Sequence, residues 1–479
     1  MARAYPIYQA RAKVSEILRC VTKRRVCQYS SGTNATDTKV MNAFANGSIF
    51  SAWDKQLQQV LAIGTMLLAA ACATAEARTT NPASSTVPET STSSSSSVPS
   101  EQRQTDQLSP LIIKALAPDP IPVKGSDNKF HVAYELSISN DSPRPATITK
   151  LETLASDHNG EVISTMSRDE ITALALLTAN YPASPAPVSE IPAGRTLILP
   201  LDDVYDTRRA VPASVTHRIT ATFGPFGPDQ GELANIYPEK VVEIGGSVTT
   251  SHDKPVVIGA PVTGGGWVAH NGLAERKLNP HRGAVVPVGG RLSGAERFAV
   301  DWLRVDPSAE PVSTFKGDPT KNESYLAFDQ PLVAVADGTV VSVVSDQPDV
   351  PPGAPGRNCF PFEQLTGNRI IVDIGNGVFA LYAHVKNNGV AVKVGEKVKK
   401  GQVIGRLGNS GCTTEPHLHF QLMRGPLPLS FDNVPWEIDH FTLIGSATAD
   451  GVVSDPAAGP RTNELPLANT VNNFVTPGR

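Results

Sequence analysis

The residues best suited to chemistry in this chain are two histidines in the segment PHLHFQL, residues 416–422. Side chains alternate between the two faces of a β-strand, so His417 and His419 are expected on one face. The intervening and following apolar residues are expected on the other face, against a core. Two imidazoles on one face can serve one zinc site, one as a ligand and one as an acid, base or hydrogen-bond donor.

Two more segments supply side chains that such a site needs. His384 ends an LYAH run, and Asp301 lies in the hydrophobic run RFAVDW. A buried carboxylate is costly unless it is paired or bound to a metal, so Asp301 is either a metal ligand or the partner of Arg297 or Arg304. Tyr382, two residues before His384, is expected on the same face, where it contacts substrate or covers the edge of a groove.

Together these segments resemble the M23 (LytM/lysostaphin-type) family of metallopeptidases. The likeness covers about residues 285–425 and rests on AVADGTV at 334–340, LYAH at 381–384, GNSG at 408–411 and PHLHF at 416–420. The resemblance implies a zinc endopeptidase that hydrolyses peptide bonds in peptidoglycan stems or crossbridges. Peptidoglycan peptides are then the expected partners.

The resemblance also implies roles for four residues. Asp301 and His419 match zinc ligands, so the implied cofactor is Zn2+. His384 and His417 match the catalytic histidines that polarise the attacking water and stabilise the tetrahedral oxyanion. Neutral imidazoles suit these tasks near pH 7, and zinc lowers the pKa of its bound water.

One position departs from the family pattern. The first family motif is HxxxD, and here Arg297 stands in place of the histidine. A guanidinium has no lone pair for zinc, and catalytic zinc sites usually have three protein ligands. Either His281 replaces the missing ligand, or the site is degenerate, or a different metal or weaker occupancy applies. We favour His281 as the replacement ligand over degeneracy, because a decaying site is expected to lose more than one member. His270 is less well placed to replace the ligand.

A degenerate site would predict a different function. The domain would then bind cell wall without catalysis, or regulate another wall hydrolase as a protein partner. Net charge does not favour a nucleic-acid partner, because 42 Lys and Arg stand against 46 Asp and Glu, a formal charge of −4.

The glycine-punctuated strands around these residues predict an antiparallel β domain over residues 255–450. Residues 331–344 are typical of two strands about an Asp-Gly turn, and residues 369–384 of a hairpin about Gly-Asn-Gly. Residues 392–405 alternate short strands and turns. A flexible tail is expected over residues 451–479.

Residues 109–250 predict a second β-rich domain, of the immunoglobulin-like sandwich type. Short strand-like runs alternate with turn formers, and about 140 residues suit such a sandwich. Residues 168–180 predict one helix. His131, His158 and His217 lack metal-ligand spacing and are expected to be ordinary surface or strand histidines, so this domain is interpreted as a spacer or binding module.

The first 77 residues predict an export leader. The apolar run 60–71 is too short to span a bilayer comfortably but suits the core of a signal peptide. The segment LAAAC resembles a bacterial lipoprotein box, which predicts lipidation of Cys72 and membrane anchoring. The alternatives are an ordinary signal peptide cut near residues 73–77 or a buried helix. Met41 as the start would give a leader of conventional length.

The next segment, residues 78–108, is rich in Ser, Thr and Pro and predicts a disordered linker, because it has little apolar surface to bury. Leader, linker and folded domains predict an exported protein of the bacterial cell envelope or periplasm, lipid-anchored or otherwise secreted. In an oxidising compartment Cys359 and Cys412 are expected to form a disulfide, worth ~4 kcal/mol by loop entropy. Two free thiols are the alternative.

Overall fold

The computed structural model describes residues 109–474, except 118, 179–187, 229–230, 233–235, 237, 354–358 and 360–363. The predicted leader, with Cys72, and the predicted linker lie outside the described residues. Within the described part of the chain, no helix is both long and apolar enough to cross a bilayer. This part is mainly β, as the sequence predicts.

The first domain, hereafter the sandwich domain, contains two five-stranded antiparallel sheets. Its strands are β1 (Leu111–Ala115), β2 (Val123–Lys124), β3 (Phe130–Asn140), β4 (Ala146–Ala155), β5 (Val162–Ser167), β6 (Leu176–Leu177), β7 (Glu190–Ile191), β8 (Thr196–Tyr205), β9 (Ser214–Phe223) and β10 (Lys240–Thr249). The sheets have the orders β1-β3-β8-β6, with β2 beside β3, and β10-β9-β4-β5, with β7 beside β4. Leu136 of β3 and Ile219 of β9 share one apolar core, so the two sheets pack as layers.

The helix of the sandwich domain, α1 (Arg168–Leu174), is shorter than predicted. It begins with a capping box, in which Ser167 and Glu170 satisfy each other's backbone N–H groups. The prediction of a helix is wrong for residues 175–178, because β6 pairs there with β8. Pairing with a distant strand outweighs the local helical preference.

The second domain is built on a 13-stranded sheet. Its strands are β11 (Val256–Ile258), β12 (Gly264–His270), β15 (Val300–Arg304), β16 (Pro331–Val333), β17 (Gly338–Val344), β18 (Asn368–Asp373), β19 (Phe379–Val390), β20 (Lys397–Val398), β21 (Val403–Leu407), β22 (Leu418–Met423), β23 (Trp436–Ala447), β24 (Val452–Glu464) and β25 (Thr470–Phe474). The main path is β11-β23-β25-β12-β15-β22-β19-β18-β17-β20, antiparallel except for β11 beside β23.

Several short elements lie beside these sheets in the described structure. β13 (Val285–Val288) and β14 (Arg291–Gly294) form a separate hairpin, and α2 (Pro280–Gly283) is a single helical turn. Short 3-10 turns occur at Arg208–Ala210 and Asn322–Ser324.

One of the two predicted turns forms a hairpin and the other does not. Asn376 and Gly377 have φ of 53° and 68° and connect β18 to β19, the left-handed geometry that a tight hairpin favours. The turn at Asp337 and Gly338 also lies between two strands, but β16 pairs with β21, while β17 pairs with β18 and β20. The two predicted strands are present, but they do not pair with each other, because distant strands supply their hydrogen bonds.

The prediction of a flexible tail over residues 451–479 is wrong for the described part. β24 extends along β23, and β25 lies between β23 and β12. Phe474 of β25 packs edge-on against Trp302 of β15, with ring centroids 5.2 Å apart. Much of β24 is exposed or half-buried. Its sequence therefore shows little of the apolar periodicity from which a strand could have been predicted.

The two domains make direct contacts along this C-terminal segment. Leu465 N donates to Lys124 O at 2.7 Å, and Ser126 N donates to Leu465 O at 3.0 Å. Lys124 Nζ forms an ion pair with Glu464 at 2.8 Å. Val123 of β2 packs within the core of the second domain. The domains are therefore packed together rather than joined only by a linker.

The burial of β25 generates a prediction. Val471 is 0% exposed between β12 and β23, so Val471→Asp should place an unpaired charge in the sheet and destabilise the domain by more than about 3 kcal/mol. Urea unfolding followed by tryptophan fluorescence measures the shift. Val453→Asp, at a site 57% exposed on β24, is the matched control and should change stability by less than about 0.5 kcal/mol. Equal midpoints for the two variants would contradict the assignment of β25 to the core.

Candidate metal centre

Three neighbouring strands bring the chemical residues together. In the sheet register Asp301 of β15 lies directly opposite His419 of β22, and Ala383 of β19 lies opposite His419 on its other side. His417 immediately precedes β22, and His384 follows Ala383. Residues from distant parts of the sequence thus meet because β22 is paired between β15 and β19.

The alternation predicted for β22 is present. Leu418, Phe420 and Leu422 are each 0% exposed and belong to the core of the domain. Phe420 also packs edge-on against Trp436 of β23, with centroids 5.4 Å apart. The apolar face therefore fixes the strand and leaves the histidine face for the site.

His384 has an uncommon backbone conformation. Its φ is 58°, in the left-handed region that costs a non-glycine residue about 1–2 kcal/mol. Two backbone hydrogen bonds hold it there, from His384 N to Thr366 O at 2.9 Å and from Gly408 N to His384 O at 3.0 Å. The conformation turns the strand away from β22, since Val385 pairs with Leu407 of β21.

This turn overrides the strand alternation expected for Tyr382. Tyr382 is 0% exposed, lies in the core, and its hydroxyl accepts a hydrogen bond from Val335 N at 2.9 Å. The expectation that it shares a face with His384 and lines the groove is therefore wrong. Period-two reasoning fails here because a left-handed residue interrupts the extended backbone.

His281 reaches the site from α2. Asn279 caps this turn, its Oδ1 accepting from Arg282 N at 2.8 Å. His281 Nδ1 lies 3.0 Å from Asn271 O and 3.2 Å from Ala299 O. A carbonyl oxygen only accepts, so Nδ1 carries the proton and the opposite nitrogen, Nε2, faces the site.

Three histidine nitrogens converge on one oxygen, Asp301 Oδ1. His419 Nδ1 lies 3.1 Å away, His281 Nε2 lies 3.2 Å away and His417 Nε2 lies 3.4 Å away. The second oxygen, Oδ2, accepts from Asn271 Nδ2 at 2.8 Å. Asn271 thus holds two members of the site, one through its carbonyl and one through its amide.

In His384, His417 and His419, the ring nitrogen that points away from the site also lies beside a hydrogen-bond acceptor. His384 Nδ1 donates to Ser410 O at 2.8 Å, and His417 Nδ1 lies 2.8 Å from Glu415 O. His419 Nε2 lies 3.0 Å from Gln421 Oε1. These contacts set the tautomers so that His384 and His417 keep Nε2, and His419 keeps Nδ1, as the nitrogen with a free lone pair.

Burial and charge shift the pKa values of these groups strongly. Burial alone would raise the pKa of Asp301, but the adjacent His281 and His417 hold it well below its usual range. Burial would lower the pKa of His281, yet attraction to Asp301 outweighs it and raises this pKa to about 9. For His384, burial and then repulsion from His417 and His419 lower the pKa well below its usual value.

These residues fit a zinc ion. Ligand atoms of His281, Asp301 and His419 lie within 4.8 Å of one another, all buried. Two imidazole nitrogens and a carboxylate oxygen form a donor set typical of catalytic zinc. The lone pairs of the His281 and His419 nitrogens would repel the Asp301 carboxylate unless a cation lay between them. A divalent metal ion is such a cation. His270, opposite Asp301 in the register, is not part of this group.

Arg297 is not in the group either. Its Nε lies 2.8 Å from Glu135 Oε1 in the sandwich domain. Arg304 donates to Gly265 O at 3.0 Å. The alternative in which Asp301 pairs with one of these arginines is therefore wrong, because histidines surround the carboxylate instead.

Two residues with clear roles were missed by the sequence analysis. Gln421 orients His419, and its own amide donates to Ala295 O at 3.2 Å. Its position two residues after His419 on a strand was a usable signal. Asn271 offered none, because its role depends on a left-handed φ of 54° after β12.

The disulfide predicted between Cys359 and Cys412 is present, with Cα atoms 4.6 Å apart. Cys412 N donates to Leu365 O at 3.0 Å. Ser410, two residues before Cys412, supplies the carbonyl that holds His384. The crosslink therefore lies in the loop that supports one side of the site.

Comparison with known proteins places part of this chain in a family. Residues 325–430 match Peptidase family M23. Peptidoglycan DD-endopeptidase ShyA of Vibrio cholerae is 41% identical over 71 residues, which are 14% of this chain and 16% of ShyA. Lysostaphin of Staphylococcus staphylolyticus is 37% identical over 100 residues, 20% of each chain. These alignments span a fifth or less of the length of either relative.

Among solved structures, the catalytic domain of lysostaphin from Staphylococcus simulans gives a TM-score of 0.19 at 22% identity, covering 35% of this chain and 82% of that one. The family match contains His384, His417 and His419, while His281 and Asp301 precede it. Residues 325–430 of this chain are therefore a domain of peptidase family M23, with relatives of the lysostaphin type.

Proposed function

We propose that this chain is a zinc metalloendopeptidase that hydrolyses peptide bonds in peptidoglycan. The observation that carries the proposal is the convergence of His281, Asp301 and His419, with His384 and His417 at their side. The substrate class is supported by relatives such as the peptidoglycan DD-endopeptidase ShyA.

Three side chains of this chain would hold the ion: His281 through Nε2, Asp301 through Oδ1 and His419 through Nδ1. Zinc bound there would supply Lewis acidity, which lowers the pKa of water and polarises a carbonyl. Asn271 and Gln421 keep the carboxylate and the His419 ring in place, so that little reorganisation accompanies binding.

His384 and His417 are placed to handle protons. Their ring centroids are 4.7 Å apart, and each ring donates Nδ1–H to a backbone carbonyl. Each therefore presents Nε2 toward the reacting atoms, one to take a proton from the attacking water and one to hydrogen-bond the oxyanion once protonated. Both residues are less than a tenth exposed, so bulk water competes little for these contacts.

We infer further that the protein works outside the cytoplasm. Peptidoglycan lies there, and the disulfide between Cys359 and Cys412 suits an oxidising compartment. Lipid anchoring through Cys72 stays a prediction from the sequence alone.

Zinc content tests the proposed ligand set. The full-length protein should bind about one zinc per chain, and His281→Ala should abolish or greatly weaken that binding, because two ligands then remain. The measurement is zinc content by mass spectrometry after dialysis against zinc-free buffer. His440→Ala, whose side chain is 73% exposed on β23, is the matched control and should bind like the wild type. Full zinc content in His281→Ala would refute the replacement ligand.

Activity separates the catalytic histidines from the ligands. His384→Ala and His417→Ala should each lower kcat by about 10²–10⁴-fold while keeping zinc, because each removes one proton-handling group. The assay is release of cleaved muropeptides from purified peptidoglycan, resolved by chromatography, with His440→Ala as control. A wild type that binds zinc and cell wall but releases no fragments would indicate the alternative, a non-catalytic wall-binding or regulatory domain.

A further inference from the structure

A buried ion pair joins the sandwich domain to the segment that carries the metal ligands. Glu135, on β3, is 1% exposed, and Arg297 is 6% exposed. The guanidinium binds the carboxylate with two hydrogen bonds, Nε to Oε1 at 2.8 Å and Nη2 to Oε2 at 2.5 Å. Bidentate charge-assisted pairs fix orientation as well as distance, so this contact sets where residue 297 lies.

A second arginine, one residue from a proposed ligand, also contacts the sandwich domain, through a hydrogen bond to a backbone carbonyl. Arg282 follows His281 in α2, and its Nη2 donates to Leu201 O of β8 at 2.9 Å. Arg282 is 5% exposed; Glu135 and Asp202 attract its charge, and Arg297 repels it. Both anchors therefore reach the same pair of adjacent strands, β3 and β8.

A larger residue at Gly294 would have to displace the ion pair of Arg297 with Glu135. A Cβ there would lie 2.7 Å from Arg297 Nη2 and 2.9 Å from Glu135 Oε2. The chain then passes Ala295, whose carbonyl accepts from the amide of Gln421 at 3.2 Å. Since Gln421 holds His419, the anchored segment touches the support of the third ligand as well.

Few residues separate the two arginines that contact the sandwich domain from the proposed metal ligands. Arg282 is the residue after His281, and Arg297 lies four residues before Asp301. The segment from 281 to 301 is thus held at two points by the sandwich domain, with His281 beside one held residue and Asp301 four residues after the other. Movement at either anchor would shift ligand atoms that must stay close to one another for a metal to bind.

We propose that the sandwich domain is the outer support of the metal centre and that Glu135 is a positioning residue for it. This inference rests on the proposed function for the identity of the metal. Arg297, at the sequence position where the family resemblance expects a histidine ligand, serves as the anchor, and His281 on the second anchored element supplies the ligand. The sandwich domain then acts as a part of the site, not as the spacer or binding module that its sequence suggested.

Zinc affinity of the full-length protein tests this role. Competition with a chromophoric chelator gives the dissociation constant for Zn2+, and the visible spectrum of the Co2+-loaded protein reports the ligand geometry. Glu135→Gln keeps the shape of the side chain but removes its charge. We expect it to weaken zinc binding by about 10–100-fold, as loss of a support beyond the ligands does, and to alter the Co2+ bands.

Lys124→Met is the matched control. It removes another ion pair between the two domains, with Glu464, distant in sequence from all ligands. A purely structural role for Glu135 would make both variants less stable to urea and leave both zinc affinities unchanged. The proposal instead requires Lys124→Met to bind zinc within about threefold of the wild type, with an unchanged Co2+ spectrum.

Two conservative variants keep the test decisive if Glu135→Gln does not fold. Glu135→Asp and Arg297→Lys retain both charges but lose the bidentate fit, so they should show a smaller loss of zinc affinity. Wild-type affinity in every folded variant would overturn the positioning role while leaving the proposed enzyme intact. Failure of the wild type itself to bind Zn2+ would overturn the proposed function, and the positioning role with it.

Discussion

Asp301 Oδ1 has three histidine nitrogens within 3.1–3.4 Å of it, and much of the domain is arranged around that oxygen. A carboxylate with so little exposure must be compensated by positive charge, from protons on the rings or from a metal ion. Backbone carbonyls and the amides of Asn271 and Gln421 bind the far side of the groups involved. Little of the site is therefore free to rearrange.

The position of this oxygen follows from sheet pairing. β22 lies between β15 and β19, its apolar face fixes its register against the core, and a one-residue slip would turn the histidines inward. The strand β25 pairs with β12 and β23, so the segment predicted to be a tail is part of the sheet, and its Phe474 packs against Trp302. Site and core are consequently two faces of the same strands.

Ion pairs join the second domain to the sandwich domain. Burying Glu135 and Arg297 is costly for each alone, and their pairing offsets that cost only when the two domains are in contact. Lys124 with Glu464, and the backbone bonds around Leu465, hold another part of the interface. The two domains thus share polar contacts across their interface.

From the sequence alone one can predict the side-chain chemistry, namely the HxH strand, the third histidine and a carboxylate in an apolar run. A two-domain, mainly β architecture can be predicted as well. These are local signals, since alternation and turn residues act over a few positions. Tertiary contacts place His281 beside Asp301, turn Arg297 to Glu135, bury Tyr382 in the core, and make strands of residues 452–464 and 470–474. Each of these depends on a partner far away in the chain or on a single left-handed residue, and no local pattern encodes such a choice.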